Sequence, residues 1–331
     1  MEIFRTIVKE SISPVKVDYS TPMLMAGSCF AENTGRMMQR LKFNAVLNPF
    51  GIVFHPIPLA QQLERLLSAK EYCADELRHD SDLWFSFDHH GRFSHPEQAN
   101  CLALINDEFQ QGWQQLAKAQ WLFVTFGTAW AYQLKENGKI VANCHHYPAS
   151  AFERIRTEAD EICERWTATL TRLWEVNPAA RVVFSVSPVR HLRDGAHENQ
   201  LSKATLLLAV ERLNKNLNTG YFPAYEIMQD DLRDYRFYDE DMAHPNAIAI
   251  KYIWQRFCTT YLSDDAVRVM NKVDDIVKAS EHRPIHHNEA TRAFKNACFA
   301  KIAEMQKTYP QLDFSQETEL LNHCDSIGIC W

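Results

Sequence analysis

Ser28, Asp241 and His244 are the residues whose types and spacing point most directly to chemistry. A serine hydroxyl attacks a carbonyl only when a base takes its proton. Histidine is that base near neutral pH, and a carboxylate a few residues away can hold its tautomer. Ser28 stands in "MLMAGSCFAENTGRMM" (23–38), where an apolar run stops at Gly27 and a helical pattern begins. Asp241 and His244 form an Asp-x-x-His pair in "DEDMAHPN" (239–246). Each also has a plainer reading. A serine before a helix is often only its N-cap, and Asp241 with His244 could cap and pack the helix that follows Pro245. Their placement after the first and the last strand favours chemistry over two unrelated caps.

The elements that must position them alternate. "TPMLMAG" (21–27) reads as a buried strand, "ENTGRMMQRL" as a helix, "FNAVLNPFG" (43–51) as a strand running into a turn, and "LAQQLERLLSAK" as a helix with one leucine face. A helix over about 100–118 precedes "WLFVTFG" (121–127), the most strongly apolar strand. Then come a helix at 158–178, a strand "ARVVFSVSP" (180–188), a helix at 200–214 and a last strand "YFPAYEIM" (221–228). Strands that are continuous apolar runs suit a parallel sheet covered on both faces. The expected fold is therefore a three-layer α/β/α domain (1–262) with a mostly parallel sheet of about five strands. A polar helical appendage (263–331) follows. Residues 80–98 read as irregular, and Trp84, Phe85 and Phe87 there either wall an acyl pocket or form a small satellite core. In such sheets the site lies beyond the carboxyl ends of the strands. That adds Asn48-Pro49-Phe50-Gly51, Gly127-Thr128-Ala129-Trp130 and Ser187 to His191 to the candidates.

Composition excludes several classes. With 331 residues, 46% of them hydrophobic, the chain can bury a large core, and a formal charge of −7 disfavours a general binder of nucleic acid or anionic membrane. No GxGxxG, GxxxxGK[ST] or G-x-S-x-G occurs, which removes the usual dinucleotide, P-loop and α/β-hydrolase fingerprints. The nine cysteines are scattered without a CxxC pair, unlike a disulfide framework or zinc ribbon. The amino-terminal segment lacks a long apolar core, so the expectation is a soluble cytoplasmic protein without a membrane span.

Several blocks taken together resemble the GSCFA family of the SGNH (GDSL-like) hydrolase superfamily. They are "GSCFA" (27–31), "NPFGIVFHP" (48–56), "FGTAWAY" (126–132), "NCHHYP" (143–148), "SVSPVRH" (185–191) and "DMAHPN" (241–246), in order over roughly residues 20–260. The resemblance implies Ser28 as nucleophile, His244 as base and Asp241 as its orienting group. It also implies the amides of Ser28 and Gly51 as oxyanion-hole donors. SGNH enzymes add an asparagine from a GxND block after the third strand, where this chain has "GTAW". The third donor then falls to Thr128 or to the side chain of Asn143. His145, Arg190 and His191 become candidate substrate contacts, with loop packing as the alternative. An acyl ester of a small molecule or carbohydrate is the implied substrate, with no cofactor. On this logic Cys29 is a packing residue turned from the cleft, since a small buried cysteine is common and the hydroxyl takes the turn.

The histidine pairs 89–90, 145–146 and 286–287 raise the question of a metal site, but neighbouring histidines tend to point apart and no HxH or HxxxH occurs. No metal is expected. Two other functions compete with the esterase: a non-catalytic ligand-binding module on the same fold, which the altered "GTAW" block supports, and a structural role in which the helical tail makes an oligomer or lid contact.

Overall fold

A computed structural model of the chain describes residues 5–282 and 288–323. The His286–His287 pair, Cys324 and Cys330 lie outside the described residues. In chain order the strands are β1 (Met23–Gly27), β2 (Ala45–Leu47), β3 (Arg78–Asp80), β4 (Leu83–Phe85), β5 (Trp121–Phe126), β6 (Trp130–Leu134), β7 (Ile140–Val141), β8 (Phe152–Arg156), β9 (Arg181–Val186) and β10 (Thr219–Phe222). The helices are α1 (Cys29–Arg40), α2 (Pro56–Leu67), α3 (Gln98–Lys118), α4 (Ala159–Val176), α5 (Ala196–Asn216), the short α6 (Ala224–Glu226), α7 (Ala247–Tyr261), α8 (Asp264–Glu281), α9 (Glu289–Thr308) and α10 (Ser315–His323).

The central sheet has five strands in the order β10-β9-β5-β1-β2, and every pairing is parallel. Counting only these strands along the chain, the order is 2-1-3-4-5, which reverses direction between β1 and β5. That switch point opens a crevice at the carboxyl ends of β1 and β5. The expected α/β architecture is present. All six residues of β5 are buried because both faces are covered. Trp121 and Phe123 pack toward α1, α7 and the carboxyl-terminal helices. Leu122, Val124 and Phe126 pack toward α2, α3, α4 and α5.

The helix entrances follow from their capping residues. Ser28 caps α1, His55 caps α2 with Pro56 at the first helical position, and Asn246 caps α7 by accepting from the amides of Ile248 and Ala249.

Three expectations need correction. The last strand ends at Phe222, and Pro223 onward turns into α6 and a π-helical turn (Ile227–Asp231), so "YFPAYEIM" is mostly not a strand. Proline breaks the ladder there because it has no N–H to donate. Residues 80–98 are less irregular than expected, since β3 and β4 form an antiparallel hairpin. A second sheet, β7-β6-β8, grows out of the "GTAWAY" block and was not foreseen. Of the two readings of the aromatic segment, the structure has the satellite core: Phe85 and Phe87 pack with Leu134, Val141 and Phe152.

The carboxyl-terminal helices do not stand apart. Val269, Val273, Ile276, Ile302, Met305 and Leu321 belong to the same apolar cluster as Met25 and Phe123 of the sheet. Arg40 of α1 pairs with Asp274 and Glu281 of α8, and Lys42 pairs with Glu317 of α10.

Candidate functional site

The turn that carries Ser28 is held by Asn48. Its side-chain oxygen accepts the Gly27 amide at 2.8 Å, its amide nitrogen donates to Glu32 of α1 at 2.8 Å, and its backbone N–H donates to Met25. Asn48 is buried at a left-handed φ of 43°, a conformation asparagine tolerates better than most residues. Gly27 has φ +138°, and a Cβ there would lie 2.3 Å from the Thr125 carbonyl oxygen, so β1 and β5 approach closely only with glycine at that position.

Ser28 is buried, and its Oγ accepts the Phe30 amide at 3.3 Å. Its own amide donates to the Thr125 carbonyl at 3.2 Å. The Gly51 amide likewise donates to the Asn48 carbonyl at 2.7 Å. Both implied oxyanion donors are thus engaged by protein carbonyls in this arrangement. Two cavities that touch this region, one lined by Asn48 and Gly51 and one by Phe30 and Thr125, hold about 20 Å³ each.

Asp241 and His244 form a tight unit. One Asp241 oxygen accepts the amides of Ala243 and His244 at 2.9 Å each, and the other accepts His244 Nδ1–H at 2.5 Å. These bonds, the His244 amide foremost, pull the Asp241 carboxyl down to about 2. In the neutral ring, donation from Nδ1 makes Nε2 the acceptor nitrogen, the form a general base requires. Both side chains are about half exposed. The loop is tied to the sheet by the Arg190 amide, which donates to the Ala243 carbonyl at 3.0 Å. Among the described residues no hydrogen bond joins Ser28 to His244.

The other candidates separate into two groups. Thr128 is buried, its hydroxyl bonded to Ser202 at 3.0 Å and its amide donating to Phe54. His191 lies near the Asp241–His244 loop, with its ring 5.6 Å from that of Phe54 and its Nε2 buried without a partner. Burial first, and then the nearby Lys203 ammonium, pulls His191 down to about 4. Asn143 and His145 sit in the loop between β7 and β8. Asn143 accepts the His145 amide at 2.9 Å, while His145 Nε2–H donates to the Ser86 carbonyl at 2.8 Å and its ring stacks on Phe85. The Asn143 oxygen and the His145 ring are held by local structure, and among the described residues neither side chain is hydrogen-bonded to Ser28 or His244. Burial raises the Cys29 thiol, which disfavours the thiolate.

The sequence reading missed Lys203. It is fully buried on α5, and its Nζ donates to the carbonyls of Gly127 and Ser187 at 2.7 and 2.8 Å. It therefore clamps the ends of β5 and β9. Burial lowers its pKa to about 7, and either protonation state has the two N–H donors this clamp needs. A signal was present: Asn199, Ser202 and Lys203 continue the buried face of Leu206, Ala209, Val210 and Leu213. Polar groups on an apolar stripe, close to a strand end, mark a site wall.

The profile of the GSCFA family matches residues 22–257, more than half of the chain, and that of the GSCFA domain protein, C-terminal domain, matches residues 273–326. The chain belongs to the GSCFA family. The GSCFA stretch itself, Gly27 to Ala31, is the turn between β1 and α1 at the switch point. No curated protein matches the chain. Among the described residues, no three His, Cys, Asp or Glu side chains gather where they could hold a metal ion, and no helix is long and apolar enough to cross a membrane.

Proposed function

We propose that this GSCFA protein is a serine-dependent hydrolase or acyltransferase of SGNH type, acting on an acyl ester of a small molecule or carbohydrate. The supporting observation is the Asp241–His244 pair, with Nδ1 on the carboxylate and no hydrogen bond to Nε2 among the described residues. Ser28 Oγ attacks the ester carbonyl as its proton passes to His244 Nε2. The tetrahedral intermediate then collapses, the C–O bond to the alcohol breaks, and His244 returns the proton to the departing oxygen. Water or an acceptor hydroxyl resolves the acyl-serine by the same route. The attack requires Ser28 Oγ to leave the Phe30 amide and reach Nε2. The developing oxyanion requires the Ser28 and Gly51 amides to exchange their carbonyl partners for it, with Thr128 or Asn143 as candidate third donor. Each donor is worth about 2.7–4 kcal/mol of barrier.

A second reading is favoured by those same engaged amides and by the burial of Ser28: a module that binds an acyl or sugar ligand without turning it over. Labelling with a fluorophosphonate, read by intact mass, separates the two. The ester reading expects one adduct on Ser28 that is lost in both Ser28→Ala and His244→Ala. A wild-type protein that binds an acyl-ester ligand yet stays unlabelled establishes the binding module instead.

A further inference from the structure

Beside the Asp241–His244 loop lies a polar cavity of about 270 Å³, bounded by the first turns of α5, the π-helical turn and Arg190. Arg190 connects the two places: its amide holds the Ala243 carbonyl and its guanidinium reaches the Met242 carbonyl at 3.5 Å.

The cavity wall is rich in donors. Among the described residues Arg190 has no carboxylate partner. The other lining arginine, Arg233, is paired with Asp230, and the lining carboxylate, Asp234, accepts the Arg236 amide. Asn199 is 3% exposed, and its oxygen is fixed by the His191 amide at 2.9 Å. Asn199 lines the cavity, and among the described residues its NH₂ group has no hydrogen-bond acceptor. Gln200 is oriented in the same sense, since its oxygen accepts the Tyr225 hydroxyl at 2.8 Å. A nearly buried amide donor and a guanidinium with no carboxylate among the described residues, lining one space, call for an acceptor that carries negative charge. Next to them, Tyr235 and Tyr238 lie with ring centroids 6.1 Å apart; the Arg190 guanidinium sits over the Tyr238 ring, 5.8 Å from its centroid, and Tyr235 is 67% exposed. An exposed aromatic face at a cavity mouth suits the apolar face of a ring.

We propose that this cavity is a binding subsite for a ring-bearing oxyanion, with Arg190, Asn199 and Gln200 on the anionic group and the exposed Tyr235 against the ring. That the occupant is the alcohol part of the ester substrate rests on the hydrolase reading above; the binding chemistry does not.

Calorimetric titration of the full chain with glucose 6-phosphate, glucuronate, glucose and inorganic phosphate tests the subsite. At least one of the two anionic sugars is expected to bind roughly tenfold or more tighter than both glucose and inorganic phosphate. Phosphate and carboxylate sources are told apart by which of the two it is. Arg190→Gln is expected to remove that margin. Gln200→Glu, which keeps the acceptor for Tyr225 but adds a like charge, is expected to weaken the anionic sugar and not glucose. The proposal is overturned if no anionic sugar outbinds glucose, if inorganic phosphate binds as tightly, or if Arg190→Gln binds like the wild type. Thermal melts of both variants confirm that they fold. Fluorophosphonate labelling of the same preparations reports on Ser28 separately, so the subsite can fail while the hydrolase stands, or stand while the hydrolase fails.

Discussion

At the scale of single residues, Asp241 carries the clearest commitment. Three hydrogen bonds converge on its carboxylate, and the shift to about 2 follows from them. The carboxylate therefore stays ionised throughout the range in which a histidine base works. Asp241→Asn keeps the shape and removes the charge that selects the Nδ1–H tautomer. On the hydrolase reading it is expected to slow acylation by about 10³–10⁴-fold without loss of fold. Single-turnover rates on an activated ester, with circular dichroism as control, check this. A rate within a few fold of the wild type would remove Asp241 from the mechanism.

At the scale of elements, His55 shows how loops around the site are braced. Its Nδ1 accepts the Ile57 amide at the start of α2, and its Nε2–H reaches the Ala129 carbonyl and the Thr157 hydroxyl at 3.2 and 3.1 Å. Burial lowers its pKa from 6.5 to about 4. Below the unfolded value the unfolded chain binds a proton that the folded chain refuses. Stability is complete above about pH 6.5 and is lost as pH falls toward 4. For one fully buried histidine the loss is on the order of 3 kcal/mol. Urea unfolding at several pH values is expected to show this decline, and His55→Gln is expected to make it shallower, with His191 and the buried His89 supplying the remainder. An equally steep decline in the variant would place the effect elsewhere. His191, also near 4, adds to the same window.

At the scale of the whole molecule, the tail is part of the core. Removing residues 263–331 would uncover the faces of α1 and α7 that pack against Val269, Val273 and Ile276. Each such buried side chain stabilises by about 1.5–3 kcal/mol, a sum beyond the usual margin of a folded domain. Truncation after Leu262 is expected to give aggregation or loss of cooperative melting. A truncated chain with an unchanged melting temperature would show the tail to be dispensable.

The positions of β1, β2, β5 and β9 and of the helices between the sheet strands were legible in the sequence because apolar runs, caps and glycines act locally. "WLFVTF" is a short continuous apolar run ended by Gly127, as a strand covered on both faces is, and Ser28 stands where a cap announces α1. The Asp241–His244 contact was legible for the same reason, since three residues of spacing suffice to close it. The strand order, the switch point between β1 and β5 and the β7-β6-β8 sheet were decided only by the tertiary structure. So was the Lys203 clamp, which joins residues 76 and 16 positions apart in the chain. The occupation of the Ser28 and Gly51 amides belongs with these. A backbone donor takes whichever acceptor the packed chain brings near it, and no local pattern records that choice.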